Sequence, residues 1–388
     1  MNEKHIIIFS FFLLIFSKIN SQDSTFTLCN NISVKGQFSS ILQYNPTNDL
    51  PFYNGNRYIP QINIEYNFPE NQLIDFEASV NTYLNGGFRL VDTANYSGKI
   101  KPYRLWFRYS TAQFEIRTGL QKINFGSATL LRPLMWFDQM DPRDPLQLTD
   151  GVYGLLARYY FLNNANIWLW FLYGNENIKG WEYIPGNKGR PEFGGRVQYP
   201  ISMGEIAISY HNREVEFNQL DTINPLHFLD NSGENKLGLD GKWDIGIGLW
   251  FESVLKYQDI PLDFMPWQQQ MNIGLDYTFA LGNGLNLINE FLYASVSKHA
   301  FEINDGIYFS AITLNYPIGL FDNVASIIYY NWENNDWYRF INWQRTYDRI
   351  SLYLMLFWNP EDFNIYQNLG QTNLFAGKGI QFMFVFNH

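Results

Sequence analysis

The sequence is poor in the residues that build small-molecule chemistry. Its single cysteine, Cys29, excludes an intrachain disulfide and any cysteine-rich metal site. The five histidines, His5, His211, His227, His299 and His388, form no HxH or HExxH spacing. Basic residues are outnumbered, 27 against 37 acidic, for a net charge of -10. A nucleic-acid binder carries the opposite excess to neutralise phosphates, so that class is disfavoured. Charged residues reach only 16%, below the quarter or so of an ordinary soluble domain. No heptad, solenoid period or low-complexity tract is present, and no segment after the N-terminal region reads convincingly as a helix. No apolar run after that region approaches the roughly 18 residues of a helical membrane span. What is abundant is aromatic: 33 Phe, 26 Tyr and 12 Trp, 18% of the chain, far too much for a disordered polypeptide.

Residues 1–21 read as a secretory signal peptide. Lys4 supplies the positive start, Ile6 to Phe16 is an apolar run broken only by Ser10, and Ile19-Asn20-Ser21 precedes Gln22 as the expected mature start. Phe26-Thr27-Leu28-Cys29 lies well past that run and lacks a small residue before the Cys, so lipid anchoring at Cys29 is disfavoured. The expected organisation is a signal at 1–21 and one domain over 22–388.

Strict alternation dominates that domain, the mark of strands with two different faces. Ile74, Phe76, Ala78 and Val80 oppose Asp75, Glu77, Ser79 and Asn81. Leu105, Phe107 and Tyr109 oppose Arg104 and Arg108; Ile380, Phe382, Phe384 and Phe386 oppose Gln381 and Met383. A soluble sandwich also alternates, but its strands average about 5 to 6 residues. Here the segments run about 9 to 12, the length of a tilted strand crossing a bilayer, and many apolar faces end in Tyr or Trp. Turn clusters such as Asn45-Pro46-Thr47-Asn48-Asp49, Asn85-Gly86-Gly87 and Gly282-Asn283-Gly284 separate them. In hydrocarbon every backbone polar group must be bonded internally, so a spanning sheet must close. The fold class that follows is all-β: a transmembrane antiparallel β-barrel in the outer membrane. About 17 or 18 candidate strands and the even-number rule give 16 or 18. Its partners are then outer-membrane lipid and the barrel-insertion machinery. The last strand, with aromatics alternating up to Phe386, resembles the C-terminal signal that machinery reads, although Asn387 and His388 follow.

One stretch breaks the pattern. A strand ends near Gly119-Leu120-Gln121-Lys122-Ile123-Asn124-Phe125-Gly126 and runs into a segment with Pro133, Pro142 and Pro145, which no central ladder accommodates. Arg132, Asp138, Asp141, Arg143 and Asp144 cluster there. Loops this long without their own structure are usually functional, and in a wide barrel the place for one is inside, narrowing the lumen. Residues 124–150 are the candidate constriction loop. The Gly-x-Gln-x-x-x-x-Gly strand end, the Arg132-Pro133 step and the run from Trp136 to Pro145 resemble alginate-export-type and related outer-membrane porins. The Asn-rich loops and the Ser-Gln signal end are similar to barrels of Bacteroidetes. The resemblance implies a wide barrel with lumenal Arg and Lys for an anionic polymer. This chain departs from it: its inferred inward face mixes Glu65, Asp75, Glu77 and Glu115 with Arg104, Arg108, Arg117, Arg158 and Arg196.

The pore-lining candidates are therefore Arg104, Arg108, Glu115, Arg117, Arg132, Asp138, Asp141, Arg143 and Asp144. Adjacency predicts that the loop carboxylates face the wall guanidiniums of Arg104, Arg108 and Arg117. The wall charges are read either as a selectivity filter or as a paired network. Asp138 to Asp144 is a constriction loop, a capped turn outside the lumen, or a Ca²⁺ site. Ser209/His211 and Ser297/His299 share strand faces, but no nucleophile elbow occurs and no enzyme is expected. The segment from Ile167 to Tyr173 is apolar on both faces, fitting lipid on one side and a covering loop on the other, or a sugar-stacking platform. No cofactor or metal is called for. The expected function is passive passage of a hydrophilic solute or polysaccharide; the competing class is a non-conducting barrel serving secretion, surface assembly or attachment.

Overall fold

A computed structural model describes residues 31–90, 93–217, 231–361 and 374–388. The signal segment, Gln22, Cys29 and His227 lie outside the described residues. The strands are β1 (Ile32–Tyr44), β2 (Phe52–Phe68), β3 (Gln72–Phe88), β4 (Ala94–Ser110), β5 (Phe114–Gln121) and β6 (Val152–Tyr160). They continue as β7 (Asn166–Leu172), β8 (Glu192–Ile201), β9 (Gly204–Glu216), β10 (Asn231–Asp244), β11 (Gly248–Gln258) and β12 (Trp267–Phe279). The circuit ends with β13 (Leu285–Ser297), β14 (Ile307–Pro317), β15 (Asp322–Asn331), β16 (Asp336–Thr346), β17 (Ile350–Trp358) and β18 (Lys378–Asn387). The only other regular element among the described residues is the short 3-10 turn Leu262–Phe264.

Each strand pairs antiparallel with the next, and β18 returns to β1 in a register from Gln37↔Asn387 to Tyr44↔Ile380. The result is a closed 18-stranded barrel, the larger of the two expected sizes. The strands run from 7 to 17 residues, a wider range than the alternation alone suggested. The excess lies in β2 to β4, which rise past the eight-residue β5. The β3–β4 ladder slips at Ser79/Val80, where Pro102 and Tyr103 sit. Proline cannot donate to a ladder and a bulge absorbs the mismatch.

The two ends of the barrel differ. At the end carrying the C-terminus, connections are two to five residues. At the other end they reach 30 residues, between Gln121 and Val152, and 19, between Leu172 and Glu192. The outer wall is apolar: Ile62 and Ile64 on β2, Leu105 on β4, Leu237 and Leu239 on β10 and Phe382 on β18 are all exposed. Edge-on aromatic pairs band the short-turn end, Tyr66–Phe68, Tyr159–Phe161 and Tyr277–Phe279. A second band at the far end holds Tyr44–Phe52–Phe88 and Tyr330 with Trp332 and Trp337. Two aromatic bands around an apolar wall are what a bilayer with two interfaces selects.

The inner wall is unusual. On β14 to β17 it carries Phe309, Ala311, Tyr329, Tyr338, Phe340, Met355 and Phe357, all buried. Side chains of this kind would be misplaced in an open aqueous lumen. They are covered because chain from the long-loop end folds inside.

Candidate functional site: two inward segments

After Gln121 the chain leaves the wall and crosses the lumen. On the near side Ile123, Phe125 and Phe137 pack against Val152, Leu156, Trp170 and Leu172. On the far side Leu130 and Leu131 pack against Leu292, Phe309, Tyr338 and Phe340. The loop predicted at 124–150 thus lies inside the barrel and spans it; strand β5 ends at Gln121 rather than near Gly126.

Two wall carboxylates hold it there. Glu290 on β13, fully buried, accepts the backbone N–H of Thr129 at 2.6 Å and of Leu131 at 2.6 Å, with Leu130 at 3.2 Å. It also accepts the Thr129 hydroxyl at 3.1 Å and the Asn272 amide at 3.0 Å; Asn272 donates in turn to the Leu131 carbonyl at 2.6 Å. Glu252 on β11 accepts from Ala128 N–H at 2.8 Å and Leu134 N–H at 3.1 Å. A loop turned away from any strand must find partners for its own buried amides, and carboxylates supply the strongest ones. Gly126 makes the approach feasible: its φ of 96° suits glycine, and a Cβ there would run into the Glu252 carboxylate.

A second segment, residues 173–191, also folds inward, which the sequence reading missed. Trp181 Nε1 donates to the Arg132 carbonyl at 2.9 Å, Gly180 N–H to the Asp138 carbonyl at 3.2 Å, and the Gln139 amide to the Ile178 carbonyl. Glu182 anchors it to the wall through Arg213 at 2.8 Å and Lys236 at 2.5 Å. Glu234 joins the same network through Arg213 at 2.6 Å and Lys236 at 3.3 Å, with Lys256 at 3.6 Å. Three cations and two carboxylates are thereby buried together. The Lys179 ammonium in this segment is held below the usual lysine range by burial, which Asp150 and Glu182 only partly offset.

The charged loop residues pair among themselves. Arg132 meets Asp138 at 2.8 Å and 3.1 Å, and Asn124 at 2.6 Å. Arg143 meets Asp141 at 2.6 Å and lies over the rings of Phe375 and Phe340 at 4.9 Å and 5.5 Å. Asp144 accepts from Leu146 N–H at 3.0 Å and Leu148 N–H at 3.3 Å. Burial pushes its carboxyl above the usual range, against those two hydrogen bonds. The expected pairing of Asp138, Asp141 and Asp144 with Arg104, Arg108 and Arg117 is therefore corrected. Arg104 donates instead to the Thr149 carbonyl at 2.9 Å. Arg108 forks onto Asp75 at 2.8 Å and 2.7 Å. Arg108, Arg117 and Arg158 share Glu115 at 3.5 Å, 3.2 Å and 3.3 Å. Near neighbours on the wall and within the loop satisfied one another first.

The remaining sequence candidates also find places. Ser209 accepts from Arg196, which is forked onto Asp240 at 2.6 Å and 2.7 Å. His211 accepts from Trp170 Nε1 at 3.1 Å and faces Glu192 at 3.3 Å. Ser297 donates to the His299 carbonyl at 2.8 Å. Neither Ser/His spacing builds a nucleophile with a base. Leu169, Phe171 and Tyr173 are exposed on the outer wall, while Trp170 and Leu172 are buried under the loop. Among the described residues no group of three or more His, Cys, Asp or Glu side chains is placed to hold a metal ion.

With this geometry in view, solved structures share the architecture. OccAB2 of Acinetobacter baumannii matches at a TM-score of 0.55 and 10% identity, over 94% of this chain and 99% of that one. OccK5 (OpdH) of Pseudomonas aeruginosa matches at 0.53 and 11% identity, over 92% and 98%. OmpF of Salmonella typhi, solved with daunomycin, matches at 0.50 and 11% identity, over 92% and 98%. The fold is that of the porins. At such identities the likeness extends to the fold alone. No family model matches the sequence, and no curated protein does.

Proposed function

We propose that this chain is an outer-membrane channel for passive passage of a small hydrophilic solute, narrowed from inside by residues 122–151 and 173–191. The observation that carries the reading is the pinning of the first segment, across the lumen, by Glu252 and Glu290. A closed wall with aromatic bands fits a bilayer, and the short turns fit a periplasmic end with long loops outside. Gly126, Thr129 and Gln147 on the crossing segment stay exposed, so its open side faces water inside the barrel. Of the pore-lining candidates, Arg108 and Arg117 on the wall and Asp141 and Asp144 on the loop are half-buried and border this path, whereas Arg104, Glu115, Arg132, Asp138 and Arg143 are buried behind it. Their local pairing favours a weakly selective passage over a charged filter. The reading needs no enzyme chemistry, cofactor or metal. It takes outer-membrane lipid and the insertion machinery as partners, and a Bacteroidetes, alginate-export-like origin stays a resemblance only.

A second reading, a barrel that does not conduct and serves secretion or surface assembly, is favoured by the apolar inner wall of β14 to β17 and its cover of loop leucines. Planar-bilayer recording separates the two. Small, discrete current steps support the channel; a silent bilayer containing correctly folded barrel supports the second reading.

A further inference from the structure

Strand β4 carries a free edge on an otherwise closed wall. Its ladder with β5 ends at Leu105↔Leu120, whereas its ladder with β3 continues to Phe88↔Ala94. Arg89 N–H donates to the Thr93 carbonyl at 2.8 Å, and in the register that follows the odd residues Asn95, Ser97, Lys99 and Lys101 bond to β3. The N–H and C=O groups of Ala94, Tyr96, Gly98 and Ile100 therefore turn to the other side, where no strand stands among the described residues. Residues 93–100 are exposed throughout. We propose that this edge is an interaction surface that takes up an extended, acidic polypeptide segment as an added antiparallel strand. The proposal goes beyond the channel reading and does not depend on conduction.

The chemistry of the edge selects its occupant. A row of unpaired backbone donors and acceptors is matched group for group by another extended backbone, and lipid tails offer it nothing. Tyr96 and Ile100 lie on one face of the strand with Gly98 between them, and they are 57% and 72% exposed. A branched or aromatic side chain of an added strand fits over the glycine and against both neighbours. Lys99 and Lys101 lie on the opposite face. Lys101 meets Asp150 at 2.6 Å, whereas Lys99 has no ion pair among the described residues. A carboxylate directly across from Lys99 completes that face.

A second copy of this chain is a poor occupant. Two barrels upright in one membrane run their β4 strands in the same direction, which leaves only the less stable parallel pairing. The second copy would also bring another Lys99 and Lys101 to the same edge. Strand edges are commonly blunted by shortness, lysine and proline. This edge belongs to one of three neighbouring strands of 17 residues, so it is long. Pro102 has no N–H to offer and closes only the lower end of the run. The lysine charge then discriminates between incoming strands, turning away basic ones and admitting acidic ones.

The test is binding of two short fluorescent peptides, one alternating valine with glutamate and one valine with lysine, to the full barrel in detergent, read by anisotropy. The glutamate peptide should bind saturably and the lysine peptide about fivefold more weakly, because an attractive cross-strand pair becomes a repulsive one. Methylating the edge-facing amides of the glutamate peptide should abolish its binding. Tyr96→Pro removes one edge N–H and leaves the β3 ladder, which the odd residues make, intact. It should abolish binding with bilayer conductance unchanged. Lys99→Glu alters charge alone and should reverse the preference between the peptides; it decides should the proline variant fail to migrate as a folded barrel. Absent binding of the glutamate peptide, binding untouched by methylation or by Tyr96→Pro, or a preference unmoved in Lys99→Glu would overturn the proposal. So would slow hydrogen exchange at Tyr96, Gly98 and Ile100 in the free barrel, which means an edge already paired. A dimer that Tyr96→Pro dissociates would give the edge to a second copy and overturn it too. A silent bilayer would refute the channel and leave peptide binding standing.

Discussion

Replacing Glu290 with alanine should free the crossing segment without harming the barrel wall. The side chain accepts three backbone N–H groups, the Thr129 hydroxyl and the Asn272 amide. The wall ladder at this position, Gly274↔Glu290 and Glu290↔Ala311, is made by backbone and survives the truncation. Hydrogen bonds to a charged partner contribute about 1.5 kcal/mol or more each, so three lost backbone partners amount to roughly 4–5 kcal/mol of docking free energy. At about 1.4 kcal/mol per decade, the undocked population rises about a thousandfold. The crossing segment then samples open arrangements, while Glu252 still holds Ala128 and Leu134. Single-channel recording should show larger, noisier conductance, and limited proteolysis should find new cleavage between Ser127 and Leu131. Unchanged conductance with a protease-resistant loop would refute the pinning argument. Heat-modifiable gel migration confirms in each case that the barrel is folded.

The double change Asp138→Asn and Asp141→Asn strips the partners from Arg132 and Arg143, so reversal potentials in a salt gradient should shift toward anions with little change in conductance. Glu182→Ala leaves Arg213 and Lys236 with one buried carboxylate fewer; loss of one partner from a buried network costs about 3–5 kcal/mol, and guanidinium melts should show it as lower stability. Asp144 titrates above its unfolded value, so its charge opposes docking once the pH exceeds that raised folded value, and docking strengthens on acidification toward the unfolded value near 3.8. Asp144→Asn keeps an acceptor for Leu146 and Leu148 and should flatten that dependence in acid-range proteolysis profiles; an unchanged slope would assign it to other groups.

The wall was legible in the sequence because a bilayer imposes period two with aromatic ends, and the proline-bearing segment was legible because no ladder accepts it. Partner choice inside the barrel was not. Arg143 and Asp141 are two residues apart and Arg132 and Asp138 six, so a compact loop closes those pairs at little entropic cost before any wall residue is reached. Glu252 and Glu290 read as ordinary polar positions of alternating strands, and only the fold reveals that loop amides converge on them. The clue available was the double-sided apolar run Leu352-Tyr353-Leu354-Met355-Leu356-Phe357-Trp358 on β17. A strand apolar on both faces in a transmembrane barrel implies that something covers its inner side. The second inward segment carries a weaker mark in the sequence, Trp181 between Lys179 and Glu182 in a long connection.

If the barrel conducts, the chain folded inside it sets the size of the aqueous path. Replacing residues 126–148 with a short Gly-Ser linker and recording both proteins in planar bilayers tests it most directly. Small, discrete steps are expected for the intact chain and a several-fold larger conductance for the variant. Equal conductance in the two, with both folded, would contradict it.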